Sequence, residues 1–133
     1  MGIFDGLMSG FSIALTPVNL LFGFAGALIG TAIGVLPGLG PAATIALLLP
    51  VTYTIQSPVA ATILVAGIYY GSMYGGSTTS ILLNLPGEAA SVVTCIDGYK
   101  MAQQGRAGAA LGIAAIGSFI AGTLAVVGLT IFA

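Results

Sequence analysis

Between Asp5 and Glu88 the chain carries no charged residue at all. That constrains the fold more than any other feature. The sequence has 133 residues, of which 4% are charged and 58% hydrophobic. A soluble domain of ordinary composition carries about 25% charged residues. Asp5, Glu88, Asp97, Lys100 and Arg106 cannot clothe a water-facing surface. The chain is therefore expected to be an integral membrane protein. The net charge of -1 gives no electrostatic footprint for nucleic acid. There is no histidine and Cys95 is the one cysteine, which excludes an internal disulfide and most zinc or haem sites.

The apolar chain is divided by turn signals. Residues 1–17, MGIFDGLMSGFSIALTP, are weakly amphipathic and read as a helix lying along the membrane interface. No basic segment precedes them, so no cleaved signal peptide is expected. Val18 to Leu36 has no charge and is long enough to cross hydrocarbon about 30 Å thick at about 1.5 Å per residue. It is read as the first spanning helix. PAATIALLLPVTYTIQ, residues 41–56, is short and contains Pro50. It is expected to be half-spanning, re-entrant or kinked. Pro58 to Tyr74 forms another apolar helix, expected to break at Gly75-Gly76. Residues 88–106 hold four of the five charges, and a short amphipathic element is expected from about Ser91 to Gln104. Ala107 to Ala133 is apolar throughout and reads as a tilted spanning helix.

Small residues four apart mark the helix faces that pack closely, because lipid gives helices no hydrophobic reason to associate. Gly26, Gly30 and Gly34 form one such face, and Gly67, Gly71 and Gly75 form a second. Ala114, Ser118 and Gly122 repeat the spacing more loosely. Tyr69, Tyr70 and Tyr74 fit an aromatic interface belt.

Two interruptions carry the functional expectation. One is GVLPGLGPAATIALLLP, residues 34–50. The other is YYGSMYGGSTTSILLNLPGE, residues 69–88. An unpaired backbone amide in hydrocarbon costs several kcal/mol. Broken helices therefore persist only inside protein or beside a water-filled cavity, where their free N–H and C=O groups are available to ions. Gly38 and Gly40 precede a helix start at Pro41. Gly75-Gly76 would place Ser77, Thr78, Thr79 and Ser80 in the first turn of a new half-helix, and Asn84 offers both a donor and an acceptor. Gly38, Gly40, Ser77, Thr78, Thr79 and Asn84 are thus the candidate residues for binding substrate and ion. The bland alternative is that the hydroxyls bond the preceding turn and Asn84 bonds a neighbouring helix. Glu88 and Asp97 read as solvated loop charges, so no proton-relay carboxylate is expected, which favours Na+ over H+ as a coupling ion. No metal site and no catalytic residue is expected, and the chain is not read as an enzyme.

The same two stretches, with ALTPVNLLFGFAGALIGTAIGVLPG ahead of them and AASVVTCIDGYKMAQQGRAGAALG behind, closely resemble the TctA family. That family supplies the large membrane subunit of tripartite tricarboxylate transporters. The resemblance implies a multi-pass protein of the bacterial inner membrane. It implies uptake of tri- or dicarboxylates such as citrate, driven by a Na+ or H+ gradient. The implied partners are a periplasmic TctC-type solute-binding protein and a small TctB-type membrane subunit. It also implies an all-α fold of spanning and broken or re-entrant helices, one half of an inverted-repeat transporter, in which residues 1–133 are one membrane-embedded domain, a truncated N-terminal portion of a larger subunit whose second half lies elsewhere. The rival expectation is a small membrane scaffold, or a degenerate remnant, without transport activity. Both basic residues lie in residues 88–106, which places that loop in the cytoplasm.

Overall fold

The computed structural model describes residues 2–132. Six α-helices follow one another: α1 Ile3–Ala14, α2 Pro17–Gly34, α3 Pro41–Thr52, α4 Pro58–Leu83, α5 Val92–Gln103 and α6 Ala107–Phe132, with a single 3-10 turn at Ala89–Ser91 before α5. No strand occurs among the described residues.

Three helices begin with proline at their first position, Pro17, Pro41 and Pro58. Proline suits that place because the N–H it lacks would have no partner in the helix. Ser57 completes the start of α4, its hydroxyl accepting from the Ala60 amide at 3.3 Å. α5 ends in a Schellman arrangement. Gly105 has φ +76°, its amide reaches the Ala102 carbonyl, and the Arg106 amide reaches that of Met101.

α2 and α6 are long and apolar enough to cross a membrane. α4 is as long as α6, 26 residues, and lies against α2. A Cβ added at Gly26 would strike the Leu64 carbonyl, at Gly30 that of Ile68, and at Gly34 that of Ser72. From the other side, Gly67 lies against the Gly23 carbonyl, Gly71 against that of Ala27, and Gly75 against that of Thr31. Both predicted glycine faces are therefore used, and each receives the backbone of the other helix. Numbers rise together on the two sides, so α2 and α4 run parallel.

That direction fixes the role of α3. The chain must travel back between the two parallel helices. α2 is 18 residues, about 27 Å. α3 is 12 residues, about 18 Å, and the non-helical segment from residue 53 to 57 completes the return. The segment expected to be half-spanning, re-entrant or kinked is thus a short helix with an unwound end that leads back toward the start of α2. Pro50 lies in its last turn, where a missing amide and a ring against the preceding turn disfavour extension. α6 then runs back along α4, with Gly122 beside the Tyr70 ring at 3.6 Å. The third small-residue face is thus used at one position. α1 contributes no buried residue and is tied to α2 through Asn19, whose Nδ2 donates to the Ile13 carbonyl at 2.8 Å.

One expectation fails. Gly75-Gly76 does not break the helix: α4 continues through it to Leu83. Glycine in a membrane helix serves close approach as readily as breakage, and here Gly75 meets α2 while Gly76 meets Gly87. The break comes at Asn84, which takes the left-handed conformation at φ 58°. Asparagine tolerates that region as a helix terminator, and Pro86 prevents the helix from resuming.

Candidate functional site

The first interruption forms as a turn. The Leu39 amide bonds the Leu36 carbonyl at 3.2 Å, with Pro37 and Gly38 between them. Gly38 has φ +83°, as the third position of a type II turn requires, and proline at the second is favoured. Gly40 follows as the N-cap of α3. Thr44 is fully buried one turn on, its Oγ1 donating back to the Gly40 carbonyl at 3.0 Å.

The second interruption folds back onto the first. Beyond Asn84 the chain packs Gly87 against Gly76, where a Cβ on Gly76 would lie 3.4 Å from the Gly87 Cα. A side chain at either position would separate them. The turn brings Glu88 over Gly40: a Cβ there would lie 3.4 Å from the Glu88 Cβ and 3.9 Å from its Oε2. Thr79 makes the firmest link. Its hydroxyl donates to the Val35 carbonyl at 2.8 Å and to Gly75 in its own helix at 3.1 Å. Two motifs well separated in the chain thus share one corner of the molecule.

The six candidate residues divide within that corner. Gly40 and Thr79 lie where the two motifs meet. Gly38 is exposed at the turn, and nothing would meet a side chain there. Ser77 and Thr78 are half-buried, and their hydroxyls donate to Met73 and Tyr74 carbonyls one turn back, at 3.2 and 2.9 Å. Ser80 is buried and does the same with Gly76 at 2.8 Å. The expected half-helix start with hydroxyls in its first turn is absent, because α4 is continuous. Asn84 is exposed and closes α4. Tyr70 and Tyr74 line an apolar groove of about 630 Å3 against α6, away from this corner.

The sequence reads Glu88 as a solvated loop charge, yet the residue is half-buried. Desolvation raises its carboxyl above the ordinary value of 4.5. Its place directly after the Pro-Gly of an LPGE turn is the signal that it belongs with the break and not with the charged loop. The corner therefore combines a carboxylate, the positive end of α3, and the carbonyl ends of α2 and α4. Among the described residues no group of three His, Cys, Asp or Glu side chains could hold a metal ion.

The described residues are all helical, with two helices long and apolar enough to cross a membrane and a proline-glycine turn between α2 and α3. The family model described as the tripartite tricarboxylate transporter TctA family matches residues 20–133, and the chain belongs to that family. It is 59% identical over 133 residues to a protein of Agrobacterium vitis described as an uncharacterized 52.8 kDa protein in the TAR-I ttuC' 3' region. The alignment covers all of this chain and 26% of that relative. No solved structure matches the chain.

Proposed function

We propose that this chain forms part of the large membrane subunit of a binding-protein-dependent, ion-driven carboxylate transporter. Membership of the TctA family over residues 20–133 is the observation that carries the proposal. Tri- or dicarboxylates such as citrate are the substrate class, a Na+ or H+ gradient drives uptake, and the bacterial inner membrane is the location. The partners are a periplasmic TctC-type binding protein, a TctB-type small subunit and the remainder of the large subunit. Coverage of 26% of the relative supports the last of these.

Gly38, Gly40, Ser77, Thr78, Thr79 and Asn84 belong in this proposal as one wall of the substrate and ion path, joined now by Glu88. Carbonyl ends of α2 and α4 with a carboxylate suit a cation better than an anion, so this corner is assigned to the coupling ion. Glu88 reopens proton coupling beside Na+. The positive-inside rule puts Lys100 and Arg106, and with them this corner, on the cytoplasmic side. The chain then crosses the membrane through α2, α3, α4 and α6. A scaffold reading is weakened by the glycine faces, which are occupied within the chain and not left for oligomerisation.

The test is uptake of radiolabelled citrate and succinate in cells with the complete transporter and in cells lacking this coding region. Loss of uptake on deletion, restoration on complementation, and collapse with a Na+ or H+ ionophore are expected. Unchanged uptake of every tri- and dicarboxylate after deletion would remove the proposal.

A further inference from the structure

α6 leaves most of its surface uncovered. Of its 26 residues, Ala110 alone is buried among the described residues. Further along it meets α4 at Gly122, beside the Tyr70 ring. Around that contact lies a groove of about 630 Å3 between the two helices. Tyr70 and Tyr74 form one wall, and Ala115, Ser118, Phe119 and Gly122 are on the other. No charged residue lines it. Tyr69 meets the Tyr70 ring edge to face, with centroids 5.6 Å apart, and so helps fix the shape of the wall.

The polar groups of this groove do not suit lipid. Tyrosines that face a membrane favour its interfaces, where the hydroxyl is wet. Tyr70 instead lies half-way along α4, and Tyr74 follows one turn later. Lipid tails offer a hydroxyl no partner, and leaving one unpaired in hydrocarbon costs a few kcal/mol. The side-chain hydrogen bond at Tyr74 goes to its backbone carbonyl, from Thr78, and neither tyrosine hydroxyl has a partner among the described residues. The Ser118 hydroxyl has none among them either, whereas nearby Thr123 donates to the Phe119 carbonyl at 2.8 Å. Ala115 and Gly122 lie on one line of α6, and small residues so placed admit another backbone closely. Chain enough to supply that backbone lies outside this stretch, which covers 26% of the Agrobacterium vitis relative. A helix joined to the same polypeptide docks without the entropy cost of bringing free molecules together, which favours it over a second copy or a separate subunit.

We infer that the groove between α4 and α6 seats one uncharged helix from the remainder of the same large subunit, laid on Ala115 and Gly122 and hydrogen-bonded by Tyr70, Tyr74 and Ser118. The entering face carries small residues that bare backbone carbonyls, or amide and hydroxyl side chains, as the acceptors these donors need. A charge on that face would find no counter-charge, since the groove holds none. This inference rests on the proposal above that the chain is part of a larger transporter subunit.

In the complete large subunit in native membranes, photoreactive p-benzoylphenylalanine replaces Phe119 or Val127, which line the groove, or Leu124, which does not. All three side chains are exposed, so their replacement does not threaten the fold. Irradiation of the Phe119 and Val127 variants is expected to give a product of single-subunit mass. Its digest joins the probe peptide to a peptide beyond residue 133 of the same chain, at several-fold higher yield than from the Leu124 variant. Lipid adducts alone, a product of two-subunit mass, attachment to a different subunit, or an equal yield from the Leu124 variant overturns the seat. Tyr70→Phe combined with Tyr74→Phe is expected to lower the melting temperature of the complete subunit by several degrees, and Tyr69→Phe to leave it unchanged. An unchanged melting temperature for the pair overturns the hydrogen bonds. Citrate uptake is followed alongside: a missing cross-link with uptake retained removes the seat alone, and the expected cross-link without uptake by the unsubstituted subunit removes the transport reading alone.

Discussion

The hydroxyl of Thr79 donates to the carbonyl of Val35 across 44 residues of chain, at 2.8 Å. That carbonyl belongs to the last turn of α2, where no intrahelical donor remains. The bond holds the end of α2 to the body of α4 where the proline-glycine turn begins. Thr79→Val keeps the shape and removes the donor, leaving the Val35 carbonyl without its partner from α4. A loss of about 1 kcal/mol of stability is expected, and Thr79→Ser is expected to recover most of it. Thermal unfolding of the purified protein in detergent reads the difference.

The glycine contacts between α2 and α4 predict an asymmetry among glycines. Gly30→Ala drives a methyl group into the Ile68 carbonyl and backbone, and the cost is expected to reach about 3 kcal/mol, since backbone cannot rotate away. Gly112→Ala meets nothing within 4 Å and gains helix propensity, about 1 kcal/mol. Comparing the folded yield and melting temperature of the two variants tests whether these helices share that face.

At the turn, Gly38→Ala forces a side chain into positive φ. The expected penalty is about 1–2 kcal/mol. Space is not the obstacle, since nothing would meet the new methyl, so Gly38→Asn, which tolerates the conformation better, is expected to lose less. A melting series over the three proteins separates backbone strain from crowding.

Glu88 gives a pH signature. Burial raises its carboxyl above the unfolded value of 4.5, so the folded state prefers the protonated acid. The stability this contributes is fully present below about that value and is lost as pH rises through the folded one. An amide at this position does not titrate. Glu88→Gln is therefore expected to melt higher than the natural chain at pH 7, and the gap is expected to close toward about pH 4. A gap independent of pH would assign the effect to packing.

Much of this arrangement was legible in the residues. The charge-free run pointed to the membrane, and α2, α5 and α6 follow their sequence boundaries to within a few residues. Spacing of Gly26, Gly30, Gly34 and Gly67, Gly71, Gly75 identified the faces that meet. Two things were not legible. Gly75-Gly76 reads alike whether glycine breaks a helix or admits a neighbour, and only the presence of α2 decides between them. Periodicity also says which face packs but not in which direction the partner runs, so the parallel pair was hidden. The hydroxyls of Ser77 and Thr78 follow the bland alternative of bonding their own helix, whereas Thr79 does that and more.

The account depends most on α3 carrying the chain back between parallel α2 and α4 through a membrane. In a Cys95→Ser background, Tyr53→Cys and Gln103→Cys are labelled with a membrane-impermeant maleimide in intact spheroplasts and again after permeabilisation. Both positions are exposed, and they lie at opposite ends of the helices. Labelling of Tyr53→Cys from outside, with Gln103→Cys reactive only after permeabilisation, is the predicted result. Reaction of both positions from the same side would contradict the crossing, and with it the separation of residues 53–57 from the break-motif corner by the length of α4.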